Sequence, residues 1–212
     1  MSTPITVHVR GSNQAGRPLL LLLHGFGSHE HDLLAIAGHL HPVWDWASLR
    51  APLDAGNRGF SWFPLGVPGR PDPAPVAEST EAVLAWLDAN VTPGTVVVPV
   101  GFSQGGLMVA QLLRTAPERF AAGVVLSGFV LDAALPGDEA LAERRPAVFF
   151  GHGDADQVIS ADATARTSAW LPRFTAVTDV EYSGLPHSIS AEELADVSVF
   201  LDGVLEGAGL GG

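Results

Sequence analysis

The chain has 212 residues, with 11 basic and 23 acidic side chains and a formal net charge of −12. Such an acidic surface repels phosphate backbones and anionic lipid headgroups, which excludes a nucleic-acid partner and a membrane-surface role. Cysteine is absent, which excludes disulfides and thiolate metal sites. We expect no signal peptide and no membrane-spanning helix, since no apolar run approaches ~18 residues. A cytoplasmic location is predicted by default.

The first quarter of the chain predicts three strands and one short helix. Ile5–Arg10 alternates apolar and polar residues, which is typical of a half-buried edge strand. The continuous apolar run Pro18–Gly25 indicates a strand that is covered on both faces. A short helix is predicted over Leu33–Leu40, and a brief strand over residues 47–52 ends at Pro52.

A segment without periodicity, Leu53–Pro75, comes next. Five of the 16 prolines lie between Pro64 and Pro75, too many for a helix or a central strand. The segment is long enough to be a binding loop inserted in the domain.

Helices and strands alternate through the rest of the chain. The predicted helices are 74–91, 104–115, 160–171 and 190–205, and the predicted strands are 95–100, 121–128, 146–153 and 177–184. Apolar strands that alternate with helices predict an α/β fold, a mostly parallel sheet with helices on both faces. We therefore predict one domain over residues 1–205 and a disordered tail over residues 206–212.

Ser103 lies where a predicted strand passes directly into a predicted helix, in the sequence "GFSQG". This is the G-x-S-x-G nucleophile elbow, in which a strained turn exposes the hydroxyl at the carboxyl end of a strand. Gly101 and Gly105 leave room where side chains would collide. The alternative is a tight turn with an incidental serine. We predict that Ser103 is a nucleophile.

A serine nucleophile needs a base, and the base needs an acid that holds it in one tautomer. The chain order serine, acid, histidine leaves His152 and His187 as candidate bases. His187 lies in the loop between the last strand and the last helix, where this order places the base. We predict His187 as the base and expect His152 to brace its own loop.

The acid must lie between the nucleophile and the base. Asp154 and Asp156 both follow the strand at 146–153, and position alone does not separate them. Asp132 and Asp138 follow an earlier strand and are weaker candidates. Either loop aspartate could instead be a turn former or a helix cap.

Two backbone amides are expected to bind the oxyanion of the reaction. One belongs to Gln104, the residue after the nucleophile. The other belongs to Phe26, in the glycine-rich segment "HGFGSHE" that follows the first buried strand. His24, in the same segment, is then structural.

Six motifs occur together between about Pro18 and Val204: "LLLHGFG", "SWF", "GFSQGG", "LSG", "HGDADQVI" and "GLPHS". With them the chain resembles the phospholipase/carboxylesterase family, small single-domain α/β-hydrolases that include acyl-protein thioesterases. The resemblance implies the α/β-hydrolase fold and a catalytic triad of Ser103, Asp156 and His187. It also implies that the amides of Phe26 and Gln104 form the oxyanion hole.

Two departures from the family pattern leave the chemistry in place and leave the choice of substrate open. Gln157 stands where the family usually has proline, and Ser28 stands where many members have aspartate.

The resemblance places Trp62 and Phe63 in the acyl pocket, within the proline-rich segment. Alternatively, Trp62 pins this segment to the core. A stiff, aromatic-walled groove favours short to medium acyl chains. The predicted substrate-contacting residues are Phe26, Trp62, Phe63, Val158 and Leu185.

The stretch "SHEHDLLAIAGHLHP" contains His29, His31, His39 and His41, and a zinc site is conceivable there. The H-x-H spacing does not place both imidazoles on one helix face, so we predict a solvated helix start instead. No metal and no cofactor are predicted.

The sequence therefore predicts a serine carboxylesterase that hydrolyses short- to medium-chain esters through an acyl-enzyme. A thioesterase, or an acyltransferase or perhydrolase, would use the same acyl-enzyme. A catalytically inactive hydrolase fold with a binding role is the alternative from another class. The expected partner is a small-molecule ester or thioester, and the sequence is compatible with a homodimer.

Overall fold

The computed structural model describes residues 5–10, 16–38, 42–56, 59–67 and 69–210. The strands are β1 (Thr6–Arg10), β2 (Leu19–Leu23), β3 (Asp45–Arg50), β4 (Leu53–Asp54), β5 (Phe60–Ser61), β6 (Val97–Phe102), β7 (Ala122–Leu126), β8 (Ala147–Gly153) and β9 (Ala176–Tyr182). The helices are α1 (Leu34–Ala37), α2 (Pro73–Asn90), α3 (Gln104–Thr115), α4 (Asp138–Arg144), α5 (Ala161–Phe174) and α6 (Ala191–Gly207), with a 3₁₀ turn at Pro117–Arg119.

Seven strands form one sheet in the order β1-β3-β2-β6-β7-β8-β9. The ladders from β3 to β9 are parallel, whereas β1 pairs with β3 in the antiparallel sense at the edge. This arrangement confirms the predicted α/β-hydrolase fold. The parallel strands all end at the same side of the sheet, so the loops that follow β2, β6, β8 and β9 lie near one another.

β2 separates two hydrophobic cores, because its successive side chains point to opposite faces of the sheet. All five of its leucines are buried. Leu19, Leu21 and Leu23 belong to the core that α2, α3 and α5 cover. Leu20 and Leu22 belong to the core beneath α1 and α6. The continuous apolar run of β2 is therefore explained by burial on both sides.

The proline-rich segment contains more regular structure than its sequence predicts. β4 and β5 pair as a small antiparallel hairpin, in the register Leu53↔Ser61 and Asp54↔Phe60. α2 begins at Pro73, one residue before the predicted helix start, and the side chain of Asp72 caps it by accepting from the Ala74 amide at 3.0 Å. Prolines fit there because the first turn of a helix has no intrahelical partner for its amides.

Two further helical features differ from the sequence prediction. α4 was not predicted, because seven residues are too few to show a helical period. α6 continues to Gly207, and the amides of Ala208, Gly209 and Leu210 bond back to the last turn of the helix. The tail predicted from residue 206 is thus hydrogen-bonded as far as residue 210. Within the described part of the chain, no helix has the length and the apolar character needed to cross a membrane.

Candidate active site

Ser103 joins the last residue of β6 to the first residue of α3. Its backbone has φ 57° and ψ −116°, a conformation that costs a non-glycine residue about 1–3 kcal/mol. The Ser103 amide is held by the Leu126 carbonyl at 2.9 Å, at the end of the neighbouring strand β7. The strained turn predicted from the G-x-S-x-G sequence is therefore present.

Gly101 and Gly105 allow the backbones of β6, α3 and β2 to approach one another closely. A side chain at Gly101 would collide with the Gly105 carbonyl, and a side chain at Gly105 would collide with the Leu23 carbonyl at the end of β2. The start of α3 therefore sits directly on the sheet. Ser103 is the residue immediately before this helix, so it lies at the positive end of the helix dipole.

The structure brings Ser103, His187 and Asp156 together, although they lie on three separate loops. His187 Nε2 is 2.9 Å from Ser103 Oγ, and His187 Nδ1 is 2.7 Å from Asp156 Oδ2. With Nδ1 donating to the carboxylate, Nε2 accepts from the serine hydroxyl. The side chain of Asp156 is 5% exposed, so the pair is shielded from water.

Asp156 is held in place by its other carboxylate oxygen. Oδ1 accepts from the amides of Val158 at 2.8 Å and Ile159 at 3.0 Å, in the turn before α5. The ring of Phe102 packs against the His187 imidazole, with 4.7 Å between the ring centroids. These contacts fix the orientation of both side chains without involving the serine.

The other candidate acids and bases have different partners. Asp154 accepts from the Gly184 amide at 2.6 Å and from the Ser183 hydroxyl at 3.1 Å, so it holds the loop that leads to His187. His152 Nε2 lies 3.1 Å from Asp179 Oδ1, on the neighbouring strand β9. Asp132 pairs with Arg70, and Asp138 pairs with Arg114.

The loop that carries Phe26 lies against the nucleophile. A Cβ atom at Gly25 would be 3.4 Å from the Ser103 Cβ, in ordinary van der Waals contact. The β4–β5 hairpin fixes the loop, because the Gly27 amide donates to the Phe60 carbonyl at 2.9 Å and the Phe60 amide donates to the Ser28 carbonyl at 2.8 Å. Phe26 and Gln104 line the same cavity as Ser103.

His24 is a buried structural residue. Its Nε2 accepts from the Ala51 amide at 3.1 Å, so Nδ1 carries the proton and donates to the Gly25 carbonyl at 2.7 Å. Burial lowers the pKa of His24 below its ordinary value, which keeps the ring neutral.

An apolar cavity of about 380 Å³ opens beside Ser103 and His187. Phe26, Phe63 and Val158 line it, in agreement with the sequence prediction. Residues 64–67, 69 and 71 also line the cavity, and they belong to the segment predicted to be a binding loop. Phe129 and Ile159 complete the wall and were not predicted from the sequence. Ile159 ends the motif "HGDADQVI", which could have indicated it.

Trp62 and Leu185 do not line this cavity, so their predicted contact with substrate is corrected. Trp62 is fully buried, and its indole donates to the His24 carbonyl at 2.8 Å. It pins the hairpin to the core, which was the alternative considered from sequence. Leu185 is partly buried and packs against the core beneath α6.

The side chain of Gln104 has a positioning role that sequence reasoning missed. It accepts from the Trp62 amide at 3.0 Å and donates to the Phe63 carbonyl at 2.9 Å. The family motif "GFSQGG" contains this glutamine and is the signal that could have indicated it. One residue therefore links the nucleophile turn to the wall of the cavity.

Some side chains of the histidine-rich stretch form contacts that do not involve a metal ion. Arg50 binds both carboxylate oxygens of the buried Glu30, at 2.8 and 2.5 Å. His29 and His31 are neighbours, with 5.7 Å between their ring centroids. His39 and His41 lie outside the described residues. In the described ranges, no three His, Asp or Glu side chains are arranged to hold a metal ion.

Known proteins with similar sequences include thioesterases and carboxylesterases. Acyl-protein thioesterase 1 of Kluyveromyces lactis is 27% identical over 94% of this chain and 97% of its own length. Carboxylesterase SOBER1 of Arabidopsis thaliana is 27% identical over 70% of this chain and 69% of its own. The crystal structure of the Bacillus cereus carboxylesterase matches the fold with a TM-score of 0.79, covering 94% of this chain and 93% of that one at 21% identity.

The family assignment rests on a match that covers nearly the whole chain. Residues 6–205 match the family described as phospholipase/carboxylesterase, and this range contains Ser103, Asp156 and His187. The resemblance drawn from the short motifs is confirmed. The chain belongs to the phospholipase/carboxylesterase family.

Proposed function

We propose that this chain is a serine carboxylesterase that hydrolyses short- to medium-chain carboxylic esters through an acyl-enzyme on Ser103. Its family acts on esters, so hydrolysis is the expected reaction class. The observation that carries the proposal is the continuous chain of hydrogen bonds Asp156–His187–Ser103 at the mouth of an apolar cavity.

In the first half of the reaction, Ser103 Oγ attacks the carbonyl carbon of the ester while His187 Nε2 takes the hydroxyl proton. His187 then gives this proton to the departing alcohol oxygen, and the acyl group remains on Ser103. Asp156 keeps Nδ1 protonated and stabilises the imidazolium that forms in between. The 2.9 and 2.7 Å contacts support these roles.

The negative charge on the former carbonyl oxygen needs donors in the transition state. We assign this role to the backbone amides of Phe26 and Gln104. The support is that both residues line the same cavity as Ser103, together with the alignment of α3 behind the Gln104 amide. Fixed amides need no reorganisation when the charge appears, so they lower the barrier at little cost.

Water completes the reaction in the second half. His187 removes a proton from water, the hydroxide oxygen bonds to the acyl carbon, and Ser103 Oγ leaves with the proton that His187 returns. The products are a carboxylic acid and the free enzyme. These steps need no metal ion and no redox cofactor.

The cavity supports a neutral acyl group as the bound part of the substrate. Of the described residues that line it, none is a lysine, arginine, aspartate or glutamate. Each methylene that leaves water for such a wall contributes at most about 0.8 kcal/mol to binding. Specificity should therefore rise with chain length until the wall is reached.

Thioester hydrolysis is the second candidate, because a thioester gives the same acyl-enzyme. The relative from Kluyveromyces lactis carries the name acyl-protein thioesterase, which favours this alternative over acyl transfer to an alcohol or to peroxide. A purely binding role is disfavoured, since the serine, the imidazole and the carboxylate are all within hydrogen-bonding distance.

The test is a rate comparison with p-nitrophenyl esters and acyl-CoA thioesters of matched chain lengths, acetyl to dodecanoyl. We expect the highest kcat/KM on short- to medium-chain oxygen esters and no turnover with Ser103→Ala. Higher kcat/KM on every thioester would replace the esterase proposal with the thioesterase. Turnover of neither series would contradict both.

Three further parts of the proposal concern the whole protein. The catalytic unit is a single domain over residues 1–205, and its location is the cytoplasm. One chain supplies all the residues of the proposed site, and this is compatible with a homodimer. Cell fractionation and sedimentation of the purified protein test location and assembly.

A further inference from the structure

The outer wall of the cavity is formed by residues 64–67 and 69–71, which we call the strap. Six strap residues line the cavity: Pro64, Leu65, Gly66, Val67, Gly69 and Pro71. Leu65 and Val67 are 65% and 66% exposed, so they lie at the rim. Pro71, at the end of the strap, is buried. The side chains of Leu65 and Val67 contribute little hydrophobic burial that would hold the middle of the strap in place.

The strap is attached at its first end by Gln104. This side chain binds the backbone of Trp62 and Phe63, immediately before the strap begins. Within the described ranges, the backbone of residues 64–66 makes no hydrogen bond. The next attachment must therefore lie further along the strap.

The second attachment is to α5. Arg166 donates to the Gly69 carbonyl at 2.6 Å, across 97 residues of sequence. Gly69 lies so close to α5 that a Cβ atom there would be 2.9 Å from the Ala163 Cβ and 3.3 Å from the Ser160 hydroxyl. Its φ of 70° also favours glycine. The strap therefore touches the helix with its backbone.

Charged side chains reinforce this contact. Arg166 also binds Asp162 at 3.1 Å, and Arg70 of the strap lies 3.7 Å from the same carboxylate. Arg70 forms an ion pair with Asp132 as well. The side chain of Arg166 is 17% exposed and that of Arg70 is 55% exposed, whereas their shared partner Asp162 is 75% exposed. Solvent therefore screens both ion pairs with Asp162, and the partly buried contact is the one between Arg166 and the Gly69 carbonyl.

We propose that Arg166 is a positioning residue that sets the acyl-chain length the enzyme accepts. It does so by holding the strap against α5 through the Gly69 carbonyl, with Arg70 as a weaker second tether. The inference rests on the proposed function, because the strap matters for specificity only if the cavity binds the acyl group. Arg166 touches neither Ser103 nor His187 and takes no part in the chemistry.

Arg166→Ala, Arg166→Gln and Arg70→Ala are compared with the unmodified chain on p-nitrophenyl esters from acetyl to dodecanoyl. Release of the strap lets the wall retreat, so Arg166→Ala should raise kcat/KM for dodecanoyl relative to butyryl by about tenfold. The change should appear mainly in KM. The rate on acetyl ester should stay within about threefold, because an acetyl group does not reach the strap. Arg70→Ala should show a smaller change.

Arg144→Ala is the matched control. Arg144 also binds one carboxylate and one backbone carbonyl, those of Glu118 and Phe120, both at 2.8 Å. It does not line the acyl cavity. This variant should keep the chain-length profile, so a shared change in both variants would mean a general loss of stability rather than release of the strap.

Cleavage by chymotrypsin at Leu65 provides a readout that needs no substrate. Arg166→Ala should be cut at Leu65 at least about fivefold faster than the unmodified chain and Arg144→Ala, below the onset of unfolding. The inference is wrong if the unmodified chain hydrolyses esters and Arg166→Ala has the same chain-length profile and the same rate of chymotrypsin cleavage as the unmodified chain. If no ester is hydrolysed, the proposed function fails, while faster cleavage would still show the attachment. If Arg166→Ala does not fold, the chain-length profiles and chymotrypsin cleavage rates of Arg166→Gln and Arg70→Ala test the inference instead.

Discussion

Asp154 binds the backbone amide of Gly184 at 2.6 Å, whereas Asp156, two residues later, binds the imidazole of His187 at 2.7 Å. Two aspartates of one loop thus hold the same catalytic loop at different points. One fixes the backbone before the histidine, and the other fixes the ring itself.

Asp156→Asn should therefore lower kcat by roughly 10³- to 10⁴-fold, because an amide at this position favours the wrong imidazole tautomer. Asp154→Asn is the matched control and should lower kcat by less than about tenfold, through loop geometry alone. Steady-state kinetics on a p-nitrophenyl ester measures both. The assignment of the acid would be reversed if Asp154→Asn had the larger effect.

The strained backbone of Ser103 makes a prediction about stability. Alanine keeps the strain of φ 57° and ψ −116°, whereas glycine relieves it. Both variants should be inactive, and Ser103→Gly should be about 1 kcal/mol more stable than Ser103→Ala, since relief of strain outweighs the extra freedom of unfolded glycine. Urea unfolding compares them. A more stable alanine variant would show that the turn stores no strain.

The residues around Ser103 show what the sequence could and could not predict. The start of α3 at Gln104 was predicted correctly because the glycines, the serine and the helical period agree at that point. The β4–β5 hairpin was not, because two-residue strands have no measurable alternation. The burial of Trp62 depends on His24 and Gln104, which are distant in sequence. Local patterns carry no information about such contacts.

Trp62 should matter for stability rather than for specificity. Trp62→Ala removes a fully buried indole and its bond to the His24 carbonyl, which should cost about 3–5 kcal/mol of unfolding free energy. Trp62→Phe keeps most of the volume and should cost less. Phe63→Ala serves as the comparison variant, because Phe63 lines the cavity and its removal changes the cavity wall. Denaturant unfolding and the ester series distinguish them, and an altered chain-length profile for Trp62→Phe would contradict this role.

Glu193 on α6 should make stability depend on pH. It is fully buried, and its two carboxylate oxygens have no hydrogen-bond partner in the described part of the structure, while one of them lies against Gly151 of β8. Burial raises the pKa of Glu193 to about 7, and the charge of Asp196 adds to this. The folded chain therefore keeps a proton that the unfolded chain releases above about pH 4.3.

The sign of the effect follows from this difference. The stability contributed by Glu193 is fully present below about pH 4.3 and is lost as the pH rises through about 7, by at most ~4 kcal/mol. Glu193→Gln should match the unmodified chain near about pH 4 and exceed its stability near about pH 8. Glu192→Gln, on the exposed side of the same turn, should leave the pH dependence unchanged. Equal slopes for all three chains would contradict the prediction.

Covalent labelling tests the central claim, that Ser103 is the nucleophile, most directly. A fluorophosphonate reacts with a serine only where a base and an oxyanion site activate it. We expect one adduct per chain, located at Ser103 by peptide mass spectrometry, with esterase activity lost in proportion to labelling and no adduct on Ser103→Ala. Stoichiometric labelling at another residue, or full activity after Ser103 has been labelled, would contradict the account.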